Sequence, residues 1–389
     1  MHKFNVTGTC VPWDHYMVDI SNKLEQIKAM VDAKDYFTIN RGRQYGKTTT
    51  LLALEEFLKE EYIVISISFE GLGKEEFASA VDFCQFFLKQ VSKALRFSSA
   101  SKEYQEQWKD EEVKDFDALD DHITDMSEGK KLVLMIDKVD QVSNNFVFLS
   151  FLGMLRKKYL ARSVGKDFTF YSVILVGVYD IRNIKLKLIQ EGLYTPTEGE
   201  STIRNSPWNI AASFDVDMSF SPPEIETMLV DYEADHKTGM NIVEVAKEIH
   251  SYTSGYPYLV TRICKLIDEK LEKSWNALGI REAVQLVLKE SSPLFEHLVK
   301  NLESNQELSD LVYNILMIGG KWRFSTDTPA IALGIRYGYF KELDGRVKIA
   351  NKIFEMRITN YFINRDQIAN LQLDPTSGTS DDEGIIKEN

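Results

Sequence analysis

The chain of 389 residues has only three cysteines, Cys10, Cys84 and Cys264, widely separated and odd in number. Neither a disulfide framework nor a thiolate metal site is indicated by such spacing, and all three read as ordinary buried thiols. Basic residues are also short: 46 Lys and Arg face 59 Asp and Glu, for a formal charge of −13. That balance excludes a chain whose whole surface wraps nucleic acid, but leaves room for one local basic patch. No apolar run approaches the roughly 20 residues of a membrane span. The opening Met1-His2-Lys3-Phe4-Asn5-Val6-Thr7 lacks the long apolar stretch of a signal peptide. The expected location is cytoplasmic, with no membrane partner.

What is present suffices for a large core: 44% of residues are hydrophobic and 27% charged, and the length suggests two or three domains. The apolar run Tyr36-Phe37-Thr38-Ile39 enters a glycine-containing turn. Residues 49–62 then read as an amphipathic helix with Leu51, Leu52, Leu54 and Phe57 inward. Residues 63–69 form a β-branched run of strand type and 77–95 a helix rich in aromatics; 102–121 is charged, helix plus loop. Residues 131–136 are almost continuously apolar, as a parallel strand covered on both faces should be. A helix over 144–160 and another buried strand over 168–178 complete the alternation. The expected fold class is α/β, a wound parallel sheet flanked by helices over residues 1–220.

From residue 221 the pattern becomes helical. Ser221-Pro222-Pro223-Glu224 combines a cap, first-turn prolines and an acid, and opens helices over 224–236, 242–253 and 257–273. An all-α unit is expected over 221–292. A third unit over 293–367 has helices to about residue 318, a loop at Gly319-Gly320, and a hairpin over 339–349 turning at Asp344-Gly345. Helices followed by one hairpin suggest a winged helix. Residues 368–389 are composed like a disordered tail.

Chemistry concentrates in Arg41-Gly42-Arg43-Gln44-Tyr45-Gly46-Lys47-Thr48-Thr49. Gly46-Lys47-Thr48 supplies the decisive positions of a phosphate-binding Walker A loop. The glycine lets backbone N–H groups approach phosphate oxygens, Lys47 reaches the β- and γ-phosphates, and the Thr48 hydroxyl holds Mg²⁺. The following helix aims its positive end at the same phosphates. One position departs from the pattern: Arg41 stands where the first glycine is usual, with Gly42 displaced by one. Binding is expected to survive with altered geometry.

A second motif lies about ninety residues on. The run Leu134-Met135-Ile136 ends in Asp137, which at the carboxyl edge of a buried strand can hold Mg²⁺ through water, as a Walker B acid does. The next residue is Lys138. A glutamate is usual there in hydrolytic proteins of this layout, and loss of such a base costs on the order of 10²–10⁴-fold in rate. Two outcomes stay open: Asp140 takes over the orientation of water, or the protein is a slow or non-hydrolysing switch. Lys47, Asp137 and Asp140 are the candidate catalytic residues, and Thr48 with Asp137 the candidate metal pair.

With these residues in place, the chain resembles the AAA-like ATPases of Firmicutes and related bacteria. Those are relatives of the archaeal and signal-transducing STAND-type P-loop ATPases and of origin-recognition ATPases. The resemblance covers residues 4–365 and also rests on Tyr16-Met17-Val18-Asp19, Asn205-Ser206-Pro207-Trp208-Asn209, Ser254-Gly255-Tyr256-Pro257-Tyr258 and the run over residues 347–355. It implies ATP and Mg²⁺ as cofactors. Met17, Val18 and Asp19 would lie near the adenine, Gly255 and Pro257 in a helical lid that closes on base and ribose, and Arg43, Gln44, Tyr45 and Thr49 in the nucleotide loop. It places Tyr179 or Asp180 at a γ-phosphate sensor position. Arg262 is offered as a phosphate sensor or intersubunit finger, beside the plainer reading of an exposed helix arginine. Many longer relatives continue into a restriction-type nuclease domain; this chain shows a short polar segment there, and no nuclease is expected.

Residues 293–367 hold ten Lys and Arg and nine Asp and Glu. Within them Lys321, Arg323, Arg336, Lys341, Arg346, Lys348, Lys352 and Arg357 are opposed by only four acids. A basic wing could contact DNA phosphates. The alternative is a winged helix used for packing or autoinhibition. A second copy of the chain or another protein is the remaining kind of partner.

Overall fold

A computed structural model describes residues 2–73, 75–141, 145–177 and 208–373. Tyr179, Asp180, Asn205-Ser206-Pro207 and the polar segment from residue 374 lie outside the described residues.

The first half runs α1 (Ser21–Asp32), β1 (Tyr36–Asn40), α2 (Lys47–Leu58), β2 (Ile63–Ser68), α3 (Ala80–Leu95), α4 (Lys102–Gln107), α5 (Phe116–Ser127), β3 (Leu132–Asp137), α6 (Phe146–Ser163) and β4 (Ser172–Gly177). All strand pairs are parallel, in the order β1-β4-β3-β2. Beyond β1, Phe37 makes an isolated parallel bridge to Ala212.

The continuous apolarity of β3 has its cause in two cores. Leu132, Leu134 and Ile136 face α3, α5 and α6 in one cluster. Val133 and Met135 face α1 and α2 in the other. Alternate side chains leave opposite faces of a strand, so a strand buried on both faces must be apolar throughout. In α2 the inward residues are Leu51, Leu54 and Leu58, whereas Leu52, expected inward, is 38% exposed. The helix begins at Lys47 rather than residue 49, and a spacing of three and four residues from Leu51 then selects Leu58.

Because α2 lies on one face and α3 and α6 on the other, connections diverge above the carboxyl ends of β1 and β3. In open parallel sheets this divergence leaves the crevice where ligands bind.

The second half is helical: α7 (Pro222–His236), α8 (Ile242–Thr253), α9 (Pro257–Lys270), α10 (Ala277–Lys289), α11 (Pro293–Ser304), α12 (Gln306–Tyr313), α13 (Pro329–Arg336) and α14 (Lys352–Leu373), with a hairpin β5 (Phe340–Leu343) and β6 (Arg346–Ile349) between the last two. Ser221 and Glu224 form the reciprocal cap that opens α7. Asp344 and Gly345 both have positive φ, +51° and +70°, the backbone a two-residue hairpin requires. α14 runs to Leu373, past the expected start of a tail at 368. One continuous core joins α7 through α14 and also takes in Phe4, Tyr16 and Val18 from the N-terminal segment. Among the described residues no helix is long and apolar enough to cross a membrane.

Candidate nucleotide site

β1 stops at Asn40 and α2 begins at Lys47, leaving six residues to turn the chain over the carboxyl edge of the sheet. Left-handed backbone falls at Gln44 (φ +55°) and Gly46 (φ +74°), and not at Arg41. A glycine is therefore not demanded at Arg41. The Arg41 guanidinium turns outward, donating to the carbonyls of Asn40 and Val216 at 2.9 Å each and lying over the Phe214 ring. The departure from the usual loop is thus absorbed outside it.

Lys47 Nζ donates to the carbonyls of Arg41 (2.9 Å) and Gly42 (2.8 Å). The ammonium curls back over the cradle that its own loop forms. Burial pushes its pKa down to about 8, against the opposing pull of Asp140 and then Asp137. Thr48 Oγ1 donates to Asp137 Oδ2 at 2.7 Å, and the backbone N–H of Lys138 donates to Asp137 Oδ1 at 2.8 Å. Asp137 is 4% exposed. Among the described residues no group of three or more His, Cys, Asp or Glu could hold a metal by itself. A cation at Thr48 and Asp137 would need oxygens from a bound ligand and water. That is how Mg²⁺, which dehydrates reluctantly, is commonly held beside phosphates.

Lys138 has φ +61°, and its ammonium stands 3.7 Å from the Glu70 carboxylate. Asp140 sits in the helical turn Val139–Gln141, close under the end of β4: a Cβ on Gly177 would meet its Oδ1 at 2.8 Å. Asp137 and Asp140 therefore serve different neighbours. Asp137 accepts from Thr48, and Asp140 exerts the stronger pull on Lys47.

Behind the loop lies a cavity of about 180 Å³, floored by Gly46 and Thr49 and walled by Met17, Val18, Phe220, Met228, Pro257 and Tyr258. Its lining is largely apolar, suited to a flat heteroaromatic ring. Gln44 also lines it, and Gln44 Oε1 is buried without a hydrogen-bond partner, as is Asn40 Oδ1 at the end of β1. Buried unpartnered polar atoms are uncommon, and Gln44 Oε1, at the cavity wall, fits a site shaped for a polar ligand. Pro257 begins α9 and closes on Gly46: a Cβ there would lie 3.8 Å from the proline Cβ. Tyr45 packs edge-on to Tyr256 at 4.7 Å. The Thr49 hydroxyl accepts from the N–H of Cys10 at 3.2 Å.

Several expected site residues are placed elsewhere. Asp19 is not in the cavity wall: its carboxylate accepts from the Ser21 N–H and hydroxyl at the start of α1, which holds its pKa low. Gly255 (φ +73°) does not line the cavity either, and a Cβ there would lie 2.1 Å from the Phe220 carbonyl oxygen. Its part is to let two backbones cross, so that Phe220 can form the wall. The Arg43 side chain is exposed, and its carbonyl accepts from Tyr256 Oη. Arg262 is not an exposed helix arginine: it is largely buried and paired. Its guanidinium takes both carboxylate oxygens of Glu290, with Nε at 3.1 and 3.0 Å. Of Asn205-Ser206-Pro207-Trp208-Asn209, the described part is structural: Trp208 is fully buried and donates to Thr38 Oγ1.

Met218, Phe220, Met228 and Tyr258 also line the cavity, and nothing in the sequence marks them for it. Single apolar residues in helices and connecting segments carry no local mark of such a role.

The model of the AAA-like domain family matches residues 25–354, and the chain belongs to that family. No curated protein matches it. Among solved structures, a Walker-type ATPase of Pyrococcus abyssi superposes with a TM-score of 0.54 at 13% identity, covering 92% of this chain and 99% of that one. Lower scores are found for the RuvB Holliday junction branch migration motor of Thermotoga maritima (0.40, 13% identity, 87% and 94% covered) and the ORC2 protein of Aeropyrum pernix (0.41, 12% identity, 92% and 98% covered). The chain is an AAA-like P-loop ATPase in family and fold.

Proposed function

We propose that this AAA-like chain binds ATP with Mg²⁺ and uses the nucleotide to change conformation for signalling or DNA-related work. The observation that carries the reading is the convergence of Lys47, Thr48 and Asp137 above the carboxyl edge of the sheet, with Thr48 and Asp137 already hydrogen-bonded at 2.7 Å. In this reading the base occupies the apolar cavity beside Val18 and Pro257, and the phosphates lie along residues 43–48. Thr48 and Asp137 hold Mg²⁺, which would neutralise charge on the phosphate oxygens. Lys47 moves from the carbonyls of Arg41 and Gly42 to phosphate. Asp140 keeps it charged.

Residues 221–292 act as the lid and 293–367 as a winged helix. Support for coupling comes from their contacts with the loop: Tyr256 Oη donates to the Arg43 carbonyl, and a Cβ on Gly42 would lie 3.5 Å from the Tyr337 carbonyl. In this reading a phosphate that reshapes the loop is felt by both units through these contacts. The test is ATP binding and phosphate release by the whole chain against Lys47→Ala. Binding lost in the variant and present in the parent supports the reading; equal behaviour removes it.

Lys138 at the position after Asp137 favours a second reading, an ATP-locked switch. It expects ATP to be recovered intact after prolonged incubation with Mg²⁺, and fails if the unmodified chain turns over at ordinary ATPase rates. A DNA-binding regulator is less well supported. Three of the eight basic residues are engaged within the chain: Lys341 donates to Ser254 Oγ, Lys352 lies over the Tyr252 ring, and Arg357 donates to the Leu288 carbonyl over the Phe295 ring. Arg346 and Lys348 are exposed.

A further inference from the structure

We infer that Glu70, two residues past the end of the strand that pairs with β3, supplies the carboxylate that orients the attacking water, and that Lys138 holds it in reserve until a γ-phosphate arrives. The inference rests on ATP binding at Lys47 and Thr48 as proposed above.

β2 and β3 run in parallel register with Ser68 opposite Asp137, and the N–H of Phe69 donates to the Asp137 carbonyl at 3.0 Å. Glu70 therefore leaves the sheet at the same carboxyl edge as Asp137, one strand over. Its backbone is fixed on both sides. The Glu70 N–H donates to Ser68 Oγ at 3.1 Å, and the Gly71 N–H donates to Gln141 Oε1 at 3.2 Å, with Gly71 at φ +74° making the turn. That second bond pins the end of β2 to the turn that carries Lys138 and Asp140. Such a support is what a water-orienting carboxylate needs, since small misplacements cost much of the rate.

The side chain, by contrast, is loosely held. Glu70 Oε1 stands 3.7 Å from Lys138 Nζ, and the two side chains are 68% and 35% exposed. Exposed pairs at such distances are weak and readily exchanged. Lys138 keeps φ +61°, a conformation that side-chain-bearing residues seldom adopt and that clusters at functional positions. Its backbone N–H donates to Asp137 Oδ1 at 2.8 Å, and the other oxygen of that carboxylate accepts from Thr48, the neighbour of Lys47. A phosphate bound at Lys47 thus enters the field of Lys138 and competes with Glu70 for its ammonium. Asp140 is less suited to the task, being the acid that acts most strongly on Lys47 and lying packed under Gly177.

In the step itself, the water oxygen forms a bond to the γ-phosphorus. The bond from that phosphorus to the β,γ-bridging oxygen breaks, and its electron pair stays on the oxygen of ADP. One water proton passes to Glu70 and from there to solvent.

The experiment measures phosphate release and, separately, equilibrium binding of ATP·Mg and ADP·Mg by the full chain and by Glu70→Gln, Lys138→Met, Asp140→Asn and Lys47→Ala. Glu70→Gln is expected to lower turnover by about 10²–10³-fold with ATP affinity within about threefold of the parent, because Glu70 acts on the water and its exposed pair with Lys138 is weak. Lys138→Met is expected to weaken ATP about tenfold more than ADP. Turnover by Glu70→Gln within about threefold of the parent overturns the inference, as does equal weakening of both nucleotides in Lys138→Met. A parent that binds ATP without releasing phosphate overturns it too, leaving the binding reading intact. If Lys47→Ala binds ATP as the parent does, the binding reading itself has failed.

Discussion

Thr48 Oγ1 donates to Asp137 Oδ2 at 2.7 Å, joining the first turn of α2 to the end of a strand two places away from β1 in the sheet. The bond pre-forms the pair that would hold a cation. Asp137→Ala should therefore abolish most of the Mg²⁺-dependent part of ATP affinity, on the order of tenfold to a hundredfold, while affinity in EDTA changes little. Titration with and without Mg²⁺ checks this; equal losses in both conditions would place Asp137 outside the cation site.

Lys47 gives the site a pH dependence whose sign is fixed. Its pKa in the free chain is pushed down to about 8, so its charge is present below that pH and is lost above it. Bound phosphate favours the protonated form. ATP affinity should accordingly fall above pH 8, approaching about tenfold per pH unit until the bound-state pKa is reached. In Lys47→Arg, whose guanidinium does not titrate there, that slope should vanish whatever the absolute affinity.

Gly255 has φ +73° and no room for a Cβ against the Phe220 carbonyl oxygen. Gly255→Ala is expected to cost about 2 kcal/mol or more, from backbone strain and displacement of the crossing segment. Denaturant unfolding measures the loss. ATP affinity measured on the folded fraction should also fall, because Phe220 forms the cavity wall.

Arg262 bridges α9 to Glu290 with side chains 17% and 22% exposed. Arg262→Ala should lower stability by about 1–3 kcal/mol, less than a fully buried pair would, and leave ATP affinity unchanged. A sensor role would give the reverse, an intact melting temperature with weakened ATP binding.

For DNA, the exposed Arg346 and Lys348 offer a comparison with Lys341, whose ammonium donates to Ser254 Oγ. If the hairpin contacts phosphates, each neutralised contact should flatten the dependence of log affinity on log salt by about 0.9. Arg346→Ala with Lys348→Ala would show this in duplex retention at several salt concentrations. Retention that is absent, or that the pair of changes leaves untouched, favours a packing role for the hairpin.

Local patterns in the sequence were enough for the parallel sheet and its phosphate loop. An unbroken apolar run such as residues 132–136 has one economical place, a strand covered on both faces. Gly46-Lys47-Thr48 between strand and helix fixes the loop by chemistry, and Asp344-Gly345 fixes the hairpin by backbone preference. Each of these depends on neighbours along the chain. What the tertiary structure decided depends on residues distant in sequence. Asp19 and Gly255 belong to familiar strings yet serve a helix start and a backbone crossing, because the partners that set those roles, Ser21 and Phe220, are visible only once the segments are placed. Arg262 finds Glu290, and Lys138 finds Glu70, across separations that no periodicity encodes. The sequence alone determined that a phosphate-binding loop would stand at the edge of a parallel sheet. Which acids and cations surround it was settled by strand register and helix packing, which bring together charges that the chain keeps far apart.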